Sequence, residues 1–270
     1  MYLADYHTHT RVSPDADCSM AEMARAAVEA GLDEICFTDH VEPVIWGTNQ
    51  VRWNHDWGPA VRDFAEAKVA WDGRIRLRLG TELGDAQWCF PAAEAIMASA
   101  PELDFVIGSI HMLSAAFDGV DLYYFDPADE AEARAAIGDY LGQAQQLAEW
   151  DGNFSVLGHL TLPLRYLNEN KGFSLTFDGF EEQVEHLLRT LIAKGRGIEL
   201  NTNRGNTPLP DEKWLRMYHD LGGEIITLGT DAHDTRFVGC AIRQRQDLLR
   251  RCGFTRFCTF DRMEPVWHEL

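Results

Sequence analysis

Two short motifs, one near each end of the chain, carry side chains that bind metal ions. His7-Thr8-His9 places imidazoles at positions i and i+2, and Asp231-Ala232-His233 repeats this spacing with a carboxylate and an imidazole. Residues i and i+2 of an extended strand lie on the same face, so each pair can reach one ion. Imidazole and carboxylate ligands together suit Zn, Mn or Fe. A lone His-x-His is a weak signal, because many strand histidines are simply half-buried.

The elements that must position these motifs are short apolar runs alternating with amphipathic stretches, as in parallel βα units. The candidate strands are residues 3–7, 34–38, 75–81, 104–109, 154–158, 197–200 and 224–228. The candidate helices are residues 20–30, 59–71, 91–99, 128–150, 179–194, 211–221 and 240–252. Right-handed crossovers between consecutive strands predict a closed seven-stranded (β/α)7 barrel, similar to a TIM barrel. An open doubly wound sheet is the alternative, although the glycine-rich phosphate motif expected after its first strand is missing.

Metal-binding and polar side chains stand at or beside the carboxyl end of every predicted strand. They are His7, His9, Asp39, His40, Glu82, His111, His159, Glu199, Asn201, Asp231 and His233. Because barrels of this kind carry their active site at that face, we expect these groups to converge on one mouth. A carboxylate such as Glu82 can bridge two cations, which favours a multinuclear centre. The other four histidines, His55, His186, His219 and His268, are expected to be surface or structural residues.

Composition excludes several classes of function. The 270 residues include 43 Asp and Glu against 24 Lys and Arg, a formal net charge of -19. Such a surface repels polyanions, so we expect no nucleic-acid partner. Residues 1–7 do not have the basic region and apolar run of a signal peptide, and no apolar run is long enough to span a membrane, so we expect a cytoplasmic protein without a membrane partner. The six cysteines form no CxxC pair and are expected to be reduced, mostly buried thiols.

The motifs, taken in order, resemble the polymerase and histidinol phosphatase (PHP) superfamily of metal-dependent phosphoesterases, and within it the histidinol-phosphatase branch. The resemblance rests on Asp5-Tyr6-His7-Thr8-His9-Thr10, Ser13-Pro14-Asp15, Ala30-Gly31-Leu32, Ile35-Cys36-Phe37-Thr38-Asp39-His40, Gly80-Thr81-Glu82, Gly108-Ser109-Ile110-His111, Gly158-His159, Glu199-Leu200-Asn201-Thr202 and Gly229-Thr230-Asp231-Ala232-His233. It covers the whole length, and residues 248–260 look like the closing helix and strand of that family. The resemblance implies one distorted seven-stranded barrel domain over residues 1–270.

The resemblance also implies three divalent ions, Zn, Mn or Fe. The first would take His7, His9, Glu82 and Asp231, the second Glu82, His111 and His159, and the third Asp15, His40 and His233. Glu82, Asp231 and His233 would also act in catalysis. Many family members have histidine at the position of Asp15. The third site would therefore have a hard oxygen ligand here in place of an imidazole nitrogen. The family often has Asp where this chain has Thr161, which leaves the partner of the His159 side chain open.

Substrate contacts are expected from two arginines and one acid. Arg165 and Arg204 match arginines that approach phosphate in the phosphatase branch, and a guanidinium fork fits phosphate oxygens independently of any resemblance. Glu42 is a candidate contact to a cationic substrate. Residues 41–57 and 113–125 are long aromatic segments expected to cover the mouth, with Trp46, Trp53, Trp57, Tyr123 and Tyr124.

The expected activity is hydrolysis of L-histidinol phosphate, in histidine biosynthesis, by attack of a metal-bridging hydroxide on phosphorus. Another phosphomonoesterase of the same superfamily, acting on nucleotides or other small phosphate esters, is the first alternative. A polymerase-associated exonuclease is disfavoured by the acidic surface. A non-enzymatic metal-binding module is the alternative from another class, and the open, bridged ligand pattern argues against it.

Overall fold

Seven parallel strands form a nearly closed barrel in the computed structural model, which describes residues 1–270. The strands in chain order are β1 (Ala4–Asp5), β2 (Glu34–Phe37), β3 (His40–Val41), β4 (Val44–Ile45), β5 (Gln50–Val51), β6 (Arg76–Gly84), β7 (Phe105–Ser109), β8 (Val156–Leu157), β9 (Gly197–Asn201), β10 (Ile226–Gly229), β11 (Arg256–Asp261) and β12 (Glu264–Glu269). The barrel order is β1-β2-β6-β7-β8-β9-β10, with no reversal of strand order. This confirms the predicted barrel and excludes the open doubly wound sheet.

Helices follow the strands and pack around the barrel. They are α1 (Met20–Glu29), α2 (Gly58–Trp71), α3 (Phe90–Ala98), α4 (Glu130–Glu149), α5 (Leu162–Leu164), α6 (Glu181–Ala193), α7 (Glu212–Asp220) and α8 (Ile242–Cys252). A π-helical turn, Arg165–Asn170, continues α5, and short 3-10 turns lie at Ala86–Trp88, Ala115–Phe117 and Asn203–Gly205. The seven helices predicted from sequence all form, with ends displaced by at most two residues. No helix is both long and apolar enough to cross a membrane.

Helix α1 shows how local sequence sets these elements. Ser19 and Glu22 form a reciprocal capping box at its start, which satisfies backbone N–H groups that have no partner within the helix. Met20, Met23, Ala24 and Ala27 are buried at the i, i+3, i+4, i+7 spacing of one helix face. The helix therefore begins where the cap is and turns its apolar face toward the barrel.

The barrel closes between its first and last strands through a few direct bonds. The backbone N–H of Tyr6 donates to Leu228 at 2.9 Å, and that of Asp231 donates to the His7 carbonyl at 2.8 Å. The N–H of His9 then donates to Ala232 at 2.8 Å. These bonds hold the His-x-His and Asp-x-His motifs side by side, although more than 200 residues separate them in sequence.

The C-terminal segment contains the predicted closing helix and strand, which are α8 and β11, and adds the strand β12. After α8, strands β11 and β12 form an antiparallel hairpin outside the barrel sheet. The hairpin packs on the amino-terminal ends of the barrel strands: the Phe260 ring contacts Phe105, and the Cys258 thiol points at the Ile226 carbonyl. It therefore covers the end of the barrel opposite the mouth. All six cysteines are free thiols as expected, but only Cys36, Cys252 and Cys258 are fully buried.

Candidate metal centre

The nine predicted metal ligands all gather at the carboxyl ends of the barrel strands. Asp15, His40, Glu82, His111, His159, Asp231 and His233 line a cavity of about 750 Å³, and His7 and His9 lie completely buried among them. The four histidines assigned to surface or structural roles line no part of this cavity. Strand ends that are remote in sequence therefore meet at one mouth.

Glu82 stands at the centre of the cluster. Its carboxylate lies within 3.5 Å of five imidazoles, those of His7, His9, His40, His111 and His159. The Ser109 hydroxyl donates to the Glu82 Oε1 atom at 2.6 Å and fixes its orientation. Burial alone would raise the pKa of Glu82, but the surrounding imidazoles hold this pKa well below its ordinary value. The carboxylate is thus kept ionised in a fully buried position.

The first ligand set brings two imidazole nitrogens close to one oxygen each of Glu82 and Asp231. Nε2 of His7 lies 3.3 Å from Oε2 of Glu82 and 3.6 Å from Oδ1 of Asp231. Nε2 of His9 lies 3.5 Å and 3.3 Å from the same two oxygens. Two ligand atoms that each lie about 2.1 Å from one ion are about 3–4 Å apart. Both Nε2 atoms are buried and have no hydrogen-bond partner, so the donor set fits a cation.

The other two sets are placed around the same carboxylate. Oε1 of Glu82 lies 3.2 Å from Nε2 of His111 and 3.0 Å from Nε2 of His159. Oδ2 of Asp15 lies 3.0 Å from Nε2 of His233 and 3.7 Å from Nε2 of His40. The His9 ring stacks between the rings of His40 and His233, with centroids 4.3 Å and 4.2 Å away. The two oxygens of Glu82 therefore face different ligand groups.

Neighbouring polar groups orient the ligands. Oε1 of Glu199 lies 2.7 Å from Nδ1 of His7, so the N–H sits on Nδ1 and the Nε2 lone pair faces the cluster. Oε2 of Glu199 accepts the backbone N–H of His159 at 2.7 Å. Nδ1 of His233 lies 3.0 Å from the Asp231 carbonyl, which fixes that ring in the same way. Sequence reasoning placed Glu199 at a strand end but gave it no role.

The open question about His159 has a structural answer at the backbone. Its N–H donates to Glu199, and its carbonyl accepts the Tyr140 hydroxyl at 3.2 Å. Nδ1 of His159 has no hydrogen-bond partner, and neither does the buried Thr161 hydroxyl at the position where the family often has Asp. Bonds to the main chain of His159 therefore hold this residue in place, and no acceptor lies against Nδ1 of its ring.

The two predicted arginines both line the cavity, but in different states. Arg165 pairs with Asp231 through one nitrogen and donates to Oδ1 of Asn203 at 2.8 Å and to Oδ1 of Asn201 at 3.1 Å. Its guanidinium is therefore held in one orientation beside a predicted metal ligand. Arg204 is exposed, forms no salt bridge, and lies over the Phe237 ring with its guanidinium carbon 5.2 Å from the centroid.

Glu42 does not lie where the sequence led us to expect it. It is absent from the cavity wall, and its carboxylate is buried behind the histidines, 3.3 Å from Nδ1 of His40 and 3.5 Å from Nδ1 of His111. The expected substrate contact by Glu42 is thus corrected. The reason is that β3 pairs with β6, which carries Glu42 along the side of the barrel instead of over its mouth.

The cavity rim combines expected and unexpected residues. Of the aromatic residues expected to cover the mouth, Trp46, Tyr123 and Tyr124 line the cavity, whereas Trp53 and Trp57 do not. Sequence reasoning missed Asp121, Tyr166, Glu169, Asn170, Asn203 and Asn206, which also line it. These residues lie in loops, in the π-helical turn or in the 3-10 turn Asn203–Gly205, where no periodicity marks them in the sequence.

Comparison with known proteins identifies the family. The PHP domain matches residues 5–203, which include the first seven predicted metal ligands. The chain belongs to the PHP domain family. The last two predicted ligands, Asp231 and His233, lie beyond the matched segment, and the barrel closure brings them to the same cluster.

Sequence similarity to known proteins extends over nearly the whole chain. A histidinol-phosphatase of Lactococcus lactis is 27% identical over 265 residues, covering 96% of this chain and 95% of that protein. A probable histidinol-phosphatase of Deinococcus radiodurans is 27% identical over 259 residues, covering 93% and 94%. The crystal structure of the Lactococcus lactis histidinol phosphate phosphatase, complexed with Zn, L-histidinol and phosphate, matches with a TM-score of 0.80 at 24% identity and covers 98% of each chain. The protein therefore has the same barrel fold as the Lactococcus lactis phosphatase.

Proposed function

We propose that this protein is a metal-dependent phosphatase that hydrolyses L-histidinol phosphate to L-histidinol and phosphate. The observation that carries the proposal is the Glu82 carboxylate, ringed by five imidazoles on the floor of a cavity that two arginines also line. A buried carboxylate among that many imidazoles is built to hold cations, and the arginines add donors for a phosphate group. The names of the full-length relatives support the choice of substrate.

The nine ligands would hold three divalent ions, Zn, Mn or Fe, in the three sets described above. When bound, such ions polarise phosphoryl oxygens and make a water nucleophile available near neutral pH. The related structure contains Zn, which supports zinc as one occupant. The third set includes a half-exposed Asp15, so we expect the ion held there to exchange most readily.

The remaining side chains of the cavity bind and orient the substrate. Arg165 is held by Asp231 and two asparagines, so it can present its N–H groups to a phosphate without losing side-chain freedom on binding. Arg204 is free of acidic partners and adds a second cation at the rim. Both arginines favour an anionic phosphate inside a protein whose net charge is negative.

Two carboxylates at the rim suit a cationic leaving group. Asp121 has no salt-bridge partner, and Glu169 accepts only amide donors, from Asn203 at 2.6 Å and Asn206 at 3.0 Å. L-Histidinol carries an ammonium and an imidazole, which such unpaired acids attract. The same charges disfavour nucleoside di- and triphosphates and nucleic acids, whose additional phosphates these acids would repel. We infer that the whole of residues 1–270 forms a single domain of this kind, since the C-terminal hairpin packs on the barrel.

Phosphate release from L-histidinol phosphate tests the proposal. We expect kcat/KM of about 10⁴ M⁻¹s⁻¹ or more with added Mn or Zn, and loss of this activity in His9→Ala, whose imidazole belongs to the first ligand set. Nucleoside monophosphates and sugar phosphates serve as competing substrates. Faster release from one of these would replace L-histidinol phosphate as the substrate while keeping the phosphatase, and no release from any ester would refute an enzymatic role.

A further inference from the structure

The Glu42 side chain occupies a buried space behind the metal centre. Glu42 is only 8% exposed, and neither of its carboxylate oxygens accepts a hydrogen bond from the backbone, a hydroxyl or an amide. The nearest cationic or donor groups are Nδ1 of His40 at 3.3 Å and Nδ1 of His111 at 3.5 Å. Both of these nitrogens are also buried without another hydrogen-bond partner. The other polar groups nearby are acidic: Oε2 of Glu82 lies 3.2 Å from Nδ1 of His40, and the Asp85 carboxylate lies within 4.8 Å of Glu42 and His111. The two imidazoles are therefore the only donors close to Glu42.

A glycine makes room for this carboxylate. A Cβ atom at Gly84 would lie 2.2 Å from Oε2 of Glu42, so any other residue there would push the carboxylate away. Asp85, the next residue, accepts the backbone N–H groups of His111 at 2.9 Å and Met112 at 3.1 Å. The end of β6 thus both fixes the main chain of His111 and leaves space for Glu42 beside its ring.

A buried carboxylate in this position needs donors, and the nearest ones are the Nδ1 atoms of His40 and His111, 3.3 Å and 3.5 Å away. An ionised carboxylate without partners costs several kcal/mol to bury. An imidazole whose Nδ1–H points at Glu42 has its lone pair on Nε2, the atom that faces Glu82 in His111 and Asp15 in His40. One carboxylate therefore sets the tautomer of a ligand in the second set and of a ligand in the third set.

Glu42 also keeps Glu82 free for its other contacts. Nδ1 of His40 lies 3.2 Å from Oε2 of Glu82, the oxygen that faces His7 and His9. If Glu42 were absent, the His40 N–H would have only this oxygen as acceptor. The first ligand set would then share its carboxylate oxygen with a proton donor.

We propose that Glu42 is a positioning residue that orients His40 and His111 together and so links the second and third ligand sets. The inference rests on the proposed metal centre and goes beyond it, because it assigns a role to a residue that touches neither the cavity nor the substrate. Acidic groups that accept the second nitrogen of a ligand imidazole raise metal affinity, and their loss typically costs about 10- to 100-fold.

Glu42→Gln tests this assignment through metal binding, independently of turnover. Purified metal-free protein is titrated with Zn in competition with a chromophoric chelator, and bound Zn is counted by elemental analysis at saturation. We expect the same number of ions at saturation and an apparent Kd about 10- to 100-fold higher for the weaker ions. Glu34→Gln is the matched control, because Glu34 is also buried but lies at the other end of the barrel, against Tyr2 and Arg78. It should leave the titration unchanged.

Gly84→Ala is a second variant, which keeps Glu42 but pushes its carboxylate away from the two imidazoles. It should also raise the apparent Kd for Zn. Unchanged Kd values in both variants would refute the positioning role. Loss of one whole ion at saturation would show that Glu42 is itself a ligand, and a change in KM without a change in Kd would make it a substrate contact; either result overturns the inference. Failure of the wild-type protein to bind Zn at all would instead refute the metal centre of the proposed function.

Discussion

Substitution of Glu199 by glutamine isolates the role of a carboxylate that touches two ligand histidines. Oε1 lies 2.7 Å from Nδ1 of His7, and Oε2 accepts the backbone N–H of His159 at 2.7 Å. Both partners are donors, so an amide of the same shape must turn its NH2 group against one of them. Either orientation leaves a buried donor without an acceptor.

The expected magnitude follows from this lost contact. A hydrogen bond to a charged group contributes about 1.5–3 kcal/mol, and 1.4 kcal/mol corresponds to tenfold in a binding constant. If the NH2 group faces His7, the ring must move its proton to Nε2, the atom that faces Glu82 and Asp231. We therefore expect apparent Zn affinity to fall roughly 10- to 100-fold, while the unfolding free energy of the metal-free protein falls by about 1–3 kcal/mol.

Chelator competition and urea unfolding measure these two quantities in the same samples. Glu34→Gln again serves as the control, since it removes a buried carboxylate charge without touching a ligand and should lower stability only. Wild-type Zn affinity in Glu199→Gln would show that His7 does not depend on this acceptor, and the proposed orientation of the first ligand set would be refuted.

Further predictions concern the substrate, the packing, the thiols and the metal ions. Arg165→Lys should lower kcat/KM by about 10²-fold, because an ammonium cannot replace the planar guanidinium fork; near-normal kinetics would contradict this. Gly229→Ala should cost about 1–3 kcal/mol in urea unfolding and weaken Zn binding, since its Cβ would lie 2.4 Å from both the Glu199 Oε1 atom and the His7 Cβ atom. Burial raises the pKa of the Cys258 thiol to about 12 and raises that of Cys36, so native protein at pH 8 should leave both unalkylated, as peptide mass mapping would show. Removal of metal by a chelator should lower Tm reversibly, by an amount equivalent to about 2.7 kcal/mol for an ion present at 100 times its Kd.

Much of the fold follows from local sequence. The seven barrel strands and the seven main helices were predicted because their periodicity and caps are local properties, as the capping box of α1 illustrates. Strands β3, β4 and β5 were missed because they lie in the long segment between β2 and α2, which was interpreted as a loop covering the mouth. Strand β12 was missed because it pairs only with β11, outside the barrel sheet that the alternation of strands and helices predicts.

The candidate ligands were also predictable, because parallel strands bring their carboxyl ends together whatever the sequence separation between them. Polar residues at those ends must therefore meet, and His7 and Asp231 do. The rim could not be predicted in the same way. Asp121 and Glu169 belong to loop and π-helical segments whose path depends on contacts with other parts of the chain.

The sequence by itself determined the barrel, the acidic surface and the identity of the groups that gather at its mouth, since these depend on residue type, local periodicity and strand direction. Only the tertiary structure decided what each group does there. His40 and Glu42 are two residues apart, yet His40 lines the cavity and Glu42 lies behind it. The reason is that β3 pairs with β6 and that Gly84 leaves space for the Glu42 carboxylate inside the protein. Glu199 accepts a hydrogen bond from His7 because the two side chains lie close together in the folded barrel. Their separation in the sequence does not reveal that distance.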